Sequence, residues 1–303
     1  MKMKTGLAAL VTALLLLPGI AQADELPMKA EAPITLTSPS AILCEASTGQ
    51  VIFEKNADER RPVASVNKVM TILLTLEAVD EGRVSLEDQV TVSPRAASMG
   101  GSQAFLDAGE RYKLSELLKT VIVASANDSA VALAEHLAGT EESFVRLMNT
   151  RAEELGLTNT HYANCTGLPA QEHYTTARDV AKLSAQLDLH PIYYRYSTIW
   201  MDEIKHRGGR VTSLTNTNRL IRFYPGCDGY KTGSTNEARY CVSATAKKEG
   251  MRLIAVVLGT PAGQTRFDEA RAMLEYGFAN VQLVTQIAQG QALDMTVPVR
   301  LGG

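Results

Sequence analysis

The chain has 303 residues, 45% of them hydrophobic and 21% charged, with a net charge of −3 and a pI near 6.0. That is the profile of a globular protein with a real core, long enough for one large domain or two small ones. The lack of a basic excess argues against a nucleic-acid binder.

Residues 1–23 stand apart. Lys2 and Lys4 give a positive start, an apolar run follows from Leu7 to Leu17, and Ala21-Gln22-Ala23 supplies small residues for cleavage. This is the pattern of an export signal. The run is short for a bilayer span, so a retained N-terminal anchor is the lesser alternative. The mature chain is therefore expected outside the cytoplasmic membrane, in the periplasm or cell envelope. Residues 24–39 carry three prolines and no periodicity, and read as a linker.

A hairpin is expected next, from Ala41–Cys44 and Gln50–Phe53 around Ser47-Thr48-Gly49. Pro62 precedes a helical stretch. There Val69, Ile72, Leu73, Leu76 and Val79 recur at three- and four-residue steps, and Gly82 ends the run. Apolar stripes then mark three more helices, beginning near Leu114, Val131 and Phe144. A fourth is expected to be capped by Thr176, with Asp179 filling the acidic position of a capping box. After residue 205 the pattern turns to strands at 228–232, 239–246 and 252–258. The last is almost wholly apolar, as befits a central strand. A final helix is expected from Arg266 to Phe278.

Strands at both ends with helices between predict an α/β (α+β) protein. One sheet is built from both termini, the first and last helices pack on it, and a helical lobe is inserted at about 83–204. The four cysteines, Cys44, Cys165, Cys227 and Cys241, allow three complete pairings that sequence cannot separate. Cys44 and Cys241 lie in apolar strand-like runs, where a buried free thiol is the expected state.

Three short motifs carry chemistry. Ser65-Val66-Asn67-Lys68 is an S-x-x-K at a helix start. Positions i and i+3 share a face, so the Lys68 amine can approach the Ser65 hydroxyl. Serine needs such a base, and lysine can act only when neutral, a state favoured by burial and by a nearby positive charge. Read alone, this motif is a helix cap followed by a surface lysine. Ser125-Ala126-Asn127 falls between two helical stripes, and alone reads as an inter-helix cap. Lys231-Thr232-Gly233 falls on an edge strand. There Gly233 would let a substrate backbone approach, and Lys231 could hold a carboxylate and help keep Lys68 neutral. The motifs lie 60 and 106 residues apart, each in the element its role needs. This trio is associated with penicillin-binding proteins and class A β-lactamases.

With those residues in place, the chain resembles the low-molecular-weight penicillin-binding proteins that are serine-type D-alanyl-D-alanine carboxypeptidases, peptidase family S11. Arg61–Thr71 is similar to the family's nucleophile segment. Ser125–Ala130 resembles its S-G-N-D motif, with Ala126 in place of glycine. Thr166–Pro169 and Thr175–Asp179 match internal landmarks, and the likeness covers about residues 35–280. It implies a β-lactamase/transpeptidase-like fold, with Ser65 attacking the penultimate D-Ala carbonyl of a peptidoglycan stem pentapeptide. By the same resemblance Lys68 is the base, Ser125 a proton relay and Asn127 a ligand of the substrate peptide. Lys231 and Thr232 face the substrate carboxylate, and the N–H groups of Ser65 and Ser234 form the oxyanion hole. Arg266 either assists carboxylate binding or is a plain helix-start charge. β-Lactams are expected as covalent inhibitors.

The catalytic domain is expected over 40–280. Residues 281–303 would open a β-rich module that stops short, with no membrane anchor after it. The rivals are a β-lactamase using Glu172 as deacylating base, a D,D-endopeptidase and a non-catalytic β-lactam-sensing module. Scattered histidines without an H-E-x-x-H pair, and the lack of a P-loop or G-x-G-x-x-G, imply neither a metal nor a nucleotide cofactor.

Overall fold

A computed structural model describes residues 34–283. Its elements run β1 (Ser40–Glu45), β2 (Val51–Lys55), α1 (Lys68–Asp80), β3 (Gln89–Thr91), α2 (Pro94–Ala97), β4 (Arg111–Lys113), α3 (Leu114–Val123), α4 (Asn127–Ala138) and α5 (Glu141–Glu154). They continue as α6 (Ala177–Gln186), α7 (Ile192–Ser197), β5 (Met201–Lys205), β6 (Val211–Thr215), α8 (Leu220–Phe223), β7 (Cys227–Thr235), β8 (Arg239–Lys248), β9 (Met251–Thr260) and α9 (Thr265–Asn280).

The main sheet is antiparallel, in the order β2-β1-β9-β8-β7. β9 is central, as its apolar run demanded, and β7 lies at an edge. Side chains alternate across the pleat, so each strand feeds two cores. Ile42, Cys44, Ile254, Val256 and Leu258 meet α1 and the other helices on one face. Ala41, Leu43, Leu253, Ala255 and Val257 meet Phe267, Ala270, Met273 and Leu274 of α9 on the other. Gly277 marks how tightly α9 sits, since a Cβ there would fall 2.5 Å from Leu253. Covering both faces is why β9 is apolar from Leu253 to Leu258.

Several expectations need correction. The inserted lobe is not all-helical, because it carries the short ribbon β3–β4. The strand pattern also begins earlier than expected, at Met201, where β5 pairs with β6. Helix α6 contributes Val180, Ala181 and Leu183 to the core beneath the sheet. The Thr176 hydroxyl does cap α6, accepting from the Asp179 N–H. The Asp179 carboxylate does not close a capping box. It accepts instead from the Asn159 N–H and the Thr160 hydroxyl. The end of the expected linker is structured: the N–H groups of Thr37 and Ser38 donate to the Glu269 carboxylate on α9. All four cysteines are buried free thiols. The expected export signal and nearly all of the expected C-terminal module lie outside the described residues, and 281–283 form no strand.

Candidate active site

Ser65 lies in a 3-10 turn, Ala64–Asn67, that runs directly into α1. Ala64 holds a left-handed φ of 49°, a conformation costing a non-glycine residue about 1–2 kcal/mol. Two glycines make the turn possible. A Cβ on Gly167 would fall 2.0 Å from the Ala64 carbonyl oxygen. A Cβ on Gly233 would fall 2.5 Å from the Val63 oxygen and 2.8 Å from the Ser65 nitrogen. Gly233 was expected to admit substrate. The structure assigns it another task, since its missing side chain admits the chain's own nucleophile turn against β7.

Lys68 is fully buried, with its Nζ 2.9 Å from Ser65 Oγ, and it donates to the Thr166 carbonyl at 2.7 Å. That is contact distance for a general base. Loss of hydration lowers the Lys68 pKa from 10.5 to about 7, against the opposing influence of Cys165 and Asp128. Lys231 is also fully buried, and burial lowers its pKa well below normal, with repulsion from Lys68 and Arg266 adding to the effect. The expectation that Lys231 keeps Lys68 neutral is therefore corrected in emphasis: removal from water is the leading cause for both amines.

Ser125 lies in the turn between α3 and α4, with a left-handed φ of 63°, and Asn127 opens α4. The Asn127 side chain donates to the Gly100 carbonyl, and Asp128 accepts from the Ala104 and Leu106 N–H groups. These bonds fix the 100–106 segment over the start of α4. Thr232 is buried on β7, and Ser234 is exposed. Arg266 is not a free surface charge. It donates to the Gly233 carbonyl at 2.9 Å and lies over the Phe267 ring. Among the described residues six buried side-chain atoms lack a hydrogen-bond partner. Three of them are Ser125 Oγ, Asn127 Oδ1 and Arg266 Nε. Buried polar groups without a protein partner are uncommon.

Sequence reading missed the support beneath Lys68. Asn164 Oδ1 accepts from the N–H groups of Thr166 and Gly167, and that turn presents the Thr166 carbonyl to Lys68. Asn67 donates to the Asn164 carbonyl. His173 Nδ1 accepts from the Ala163 N–H, so its Nε2–H donates to Asn67 Oδ1 at 2.9 Å. Burial holds His173 neutral, its pKa lowered to about 4. A backbone carbonyl leaves no residue-type signal, so only the Thr166-Gly167 landmark hinted at this layer.

The profile of the family described as D-alanyl-D-alanine carboxypeptidase, peptidase S11, matches residues 27–262. D-alanyl-D-alanine carboxypeptidase DacF of Bacillus subtilis (strain 168) is 45% identical over 243 residues, 80% of this chain and 62% of that protein. DacC of Escherichia coli (strain K12), with the same description, is 38% identical over 265 residues, 84% of this chain and 65% of its own length. The chain thus spans less than two thirds of these relatives. The crystal structure of penicillin binding protein 5 from Haemophilus influenzae superposes with a TM-score of 0.77 at 32% identity, covering 82% of this chain and 73% of that one. With Lys68 and Gly233 both meeting Ser65 at the nucleophile turn and the family matched over most of the chain, the chain belongs to the peptidase S11 family of D-alanyl-D-alanine carboxypeptidases.

Proposed function

We propose that the chain is a serine D-alanyl-D-alanine carboxypeptidase that removes the terminal D-Ala from peptidoglycan stem pentapeptides outside the cytoplasmic membrane, and that penicillin inhibits it. The observation carrying this reading is the fully buried Lys68 amine, 2.9 Å from Ser65 Oγ, with its pKa lowered to about 7.

Neutral Lys68 accepts the Ser65 proton as Oγ attacks the penultimate D-Ala carbonyl. The N–H groups of Ser65 and Ser234 receive the oxyanion. Ser125 relays the proton held by Lys68 to the departing D-Ala amine, which leaves Lys68 neutral again. Water then hydrolyses the acyl-enzyme. Asn127 holds the substrate amide. Lys231 and Thr232 take the terminal carboxylate, whose charge offsets the penalty of protonating buried Lys231. Arg266 steadies this end of β7 through the Gly233 carbonyl.

A long-lived penicillin adduct, rather than rapid β-lactam hydrolysis, is expected. Among the described residues no carboxylate hydrogen-bonds Ser65 or Lys68. Glu172 is exposed, and its backbone carbonyl is bound to His161. Labelled penicillin followed by peptide mapping tests the reading. A long-lived adduct on Ser65, with D-Ala release abolished by Ser65→Ala, is the expected result. Repeated turnover of penicillin, or D-Ala release unchanged in Ser65→Ala, refutes it.

A further inference from the structure

Three consecutive carbonyls of the 164–166 turn are each held by a side chain of the Asn67–Thr71 stretch. Asn67 Nδ2 donates to the Asn164 carbonyl at 3.2 Å, the Thr71 hydroxyl to the Cys165 carbonyl at 2.7 Å, and Lys68 Nζ to the Thr166 carbonyl at 2.7 Å. Gly167 closes the turn against the nucleophile segment, since a Cβ there would fall 2.9 Å from the Asn67 Cβ. A shift of this turn therefore moves the oxygen to which Lys68 donates.

The hydrogen bonds beneath the turn run in one direction. The Ala163 N–H donates to His173 Nδ1 at 3.2 Å, so the ring carries its proton on Nε2 and donates to Asn67 Oδ1 at 2.9 Å. That fixes the Asn67 amide with its NH2 toward the Asn164 carbonyl. The reversed amide would set its NH2 against the His173 N–H and its oxygen against the Asn164 oxygen, losing both bonds. Asn67 is 2% exposed, so a bond lost there is not made good by water. Asn164 Oδ1 in turn accepts from the Thr166 and Gly167 N–H groups at 3.1 and 2.7 Å.

Neutral Lys68 has two N–H groups and one lone pair. Donation to the Thr166 carbonyl occupies an N–H and sets the rotation of the amine, with Ser65 Oγ 2.9 Å away. Resting on the Ser65 acyl-enzyme reading, we propose that His173 is a positioning residue for the reaction: through Asn67 it holds the 164–166 turn so that the Thr166 carbonyl aims the Lys68 lone pair at the Ser65 hydroxyl.

The test follows penicillin acylation of Ser65 by stopped flow, separating the saturating rate constant from the apparent affinity. His173→Phe keeps a ring but removes both of its hydrogen bonds, and Asn67→Ala removes the link to the turn. Each should lower the saturating rate about ten- to a hundredfold, the scale of a reacting group displaced by about 1 Å. Apparent affinity should stay within about twofold, as expected when ground-state binding is untouched. His173→Gln, whose one amide can accept from Ala163 and donate to Asn67, should remain within about threefold of the parent. Adding His173→Phe to Asn67→Ala should cost nothing further, because both break the same chain. Losses that multiply in the double variant overturn the positioning role, as does His173→Gln as slow as His173→Phe. A loss carried by affinity alone does the same. Should His173→Phe fail to fold, Asn67→Ala decides, and an unchanged saturating rate in it overturns the role. In each of these cases the parent still forms its adduct and the carboxypeptidase reading stands. A parent that forms no penicillin adduct on Ser65 overturns that reading and the inference together.

Discussion

Ser65 acylation should follow the titration of a buried amine. Burial brings Lys68 from 10.5 to about 7, a difference of about 5 kcal/mol between its two protonation states. At pH 7 an ordinary lysine is neutral in roughly one molecule in three thousand, whereas Lys68 is neutral in about half. The burial alone thus multiplies the base-competent population by about a thousandfold. The assay is the second-order rate constant for acylation by a fluorescent penicillin, measured from about pH 5.5 to 9 at constant ionic strength. Below about pH 7 the rate should climb roughly tenfold per pH unit, then level off. Lys68→Arg puts a group that stays charged in the same place, and should lower the rate by about 10³-fold or more. A rate independent of pH over this range, or Lys68→Arg keeping a tenth of the parent rate, would refute the reasoning.

The same burial should appear in stability. The folded Lys68 pKa lies below its unfolded value, so between about pH 7 and 10.5 the unfolded chain binds the extra proton and stability rises with pH. By urea denaturation, the advantage of Lys68→Met over the parent should shrink by about 2 kcal/mol from pH 7 to 9; a constant gap would contradict the burial account. His173 has a folded pKa of about 4 against 6.5. As pH falls between these values the unfolded chain protonates first, and up to about 3 kcal/mol is lost. His173→Gln should flatten that acid limb in urea midpoints taken at about pH 4.5 and 7, and an identical loss in the variant would count against it. Gly167→Ala forces a Cβ within 2.0 Å of the Ala64 oxygen at a φ of +82°, so it should cost about 3 kcal/mol or more in thermal unfolding and slow acylation as well. An unchanged Tm would show that the nucleophile turn does not depend on that contact.

Much of the fold was legible because it rests on local periodicity. The apolar run of β9 implied a strand covered on both faces, and the apolar steps of α1 implied a helix, though one buried on nearly every side rather than along a single stripe. The helix follows from the 3.6-residue repeat, and the strand from a short apolar run with no polar alternation. The short ribbon β3–β4 was invisible, since three-residue strands are too brief to show a period. β5 and β6 escaped for a different reason: each buries a single residue, Ile204 or Leu214, and so shows little alternation.

The site divides in the same way. Ser65, Lys68, Ser125, Asn127 and Lys231 could be singled out by residue type and order, because their chemistry belongs to their side chains. What the sequence could not decide was the state of those groups. Whether Lys68 is a solvated cation or a base depends on how much water the fold removes, and only packing of the 164–167 turn and β7 around it settles that. Gly233 shows the limit most directly. Its identity marked a close approach, but which atoms approach it is a property of chain segments almost 170 residues apart, and tertiary structure alone brings them together.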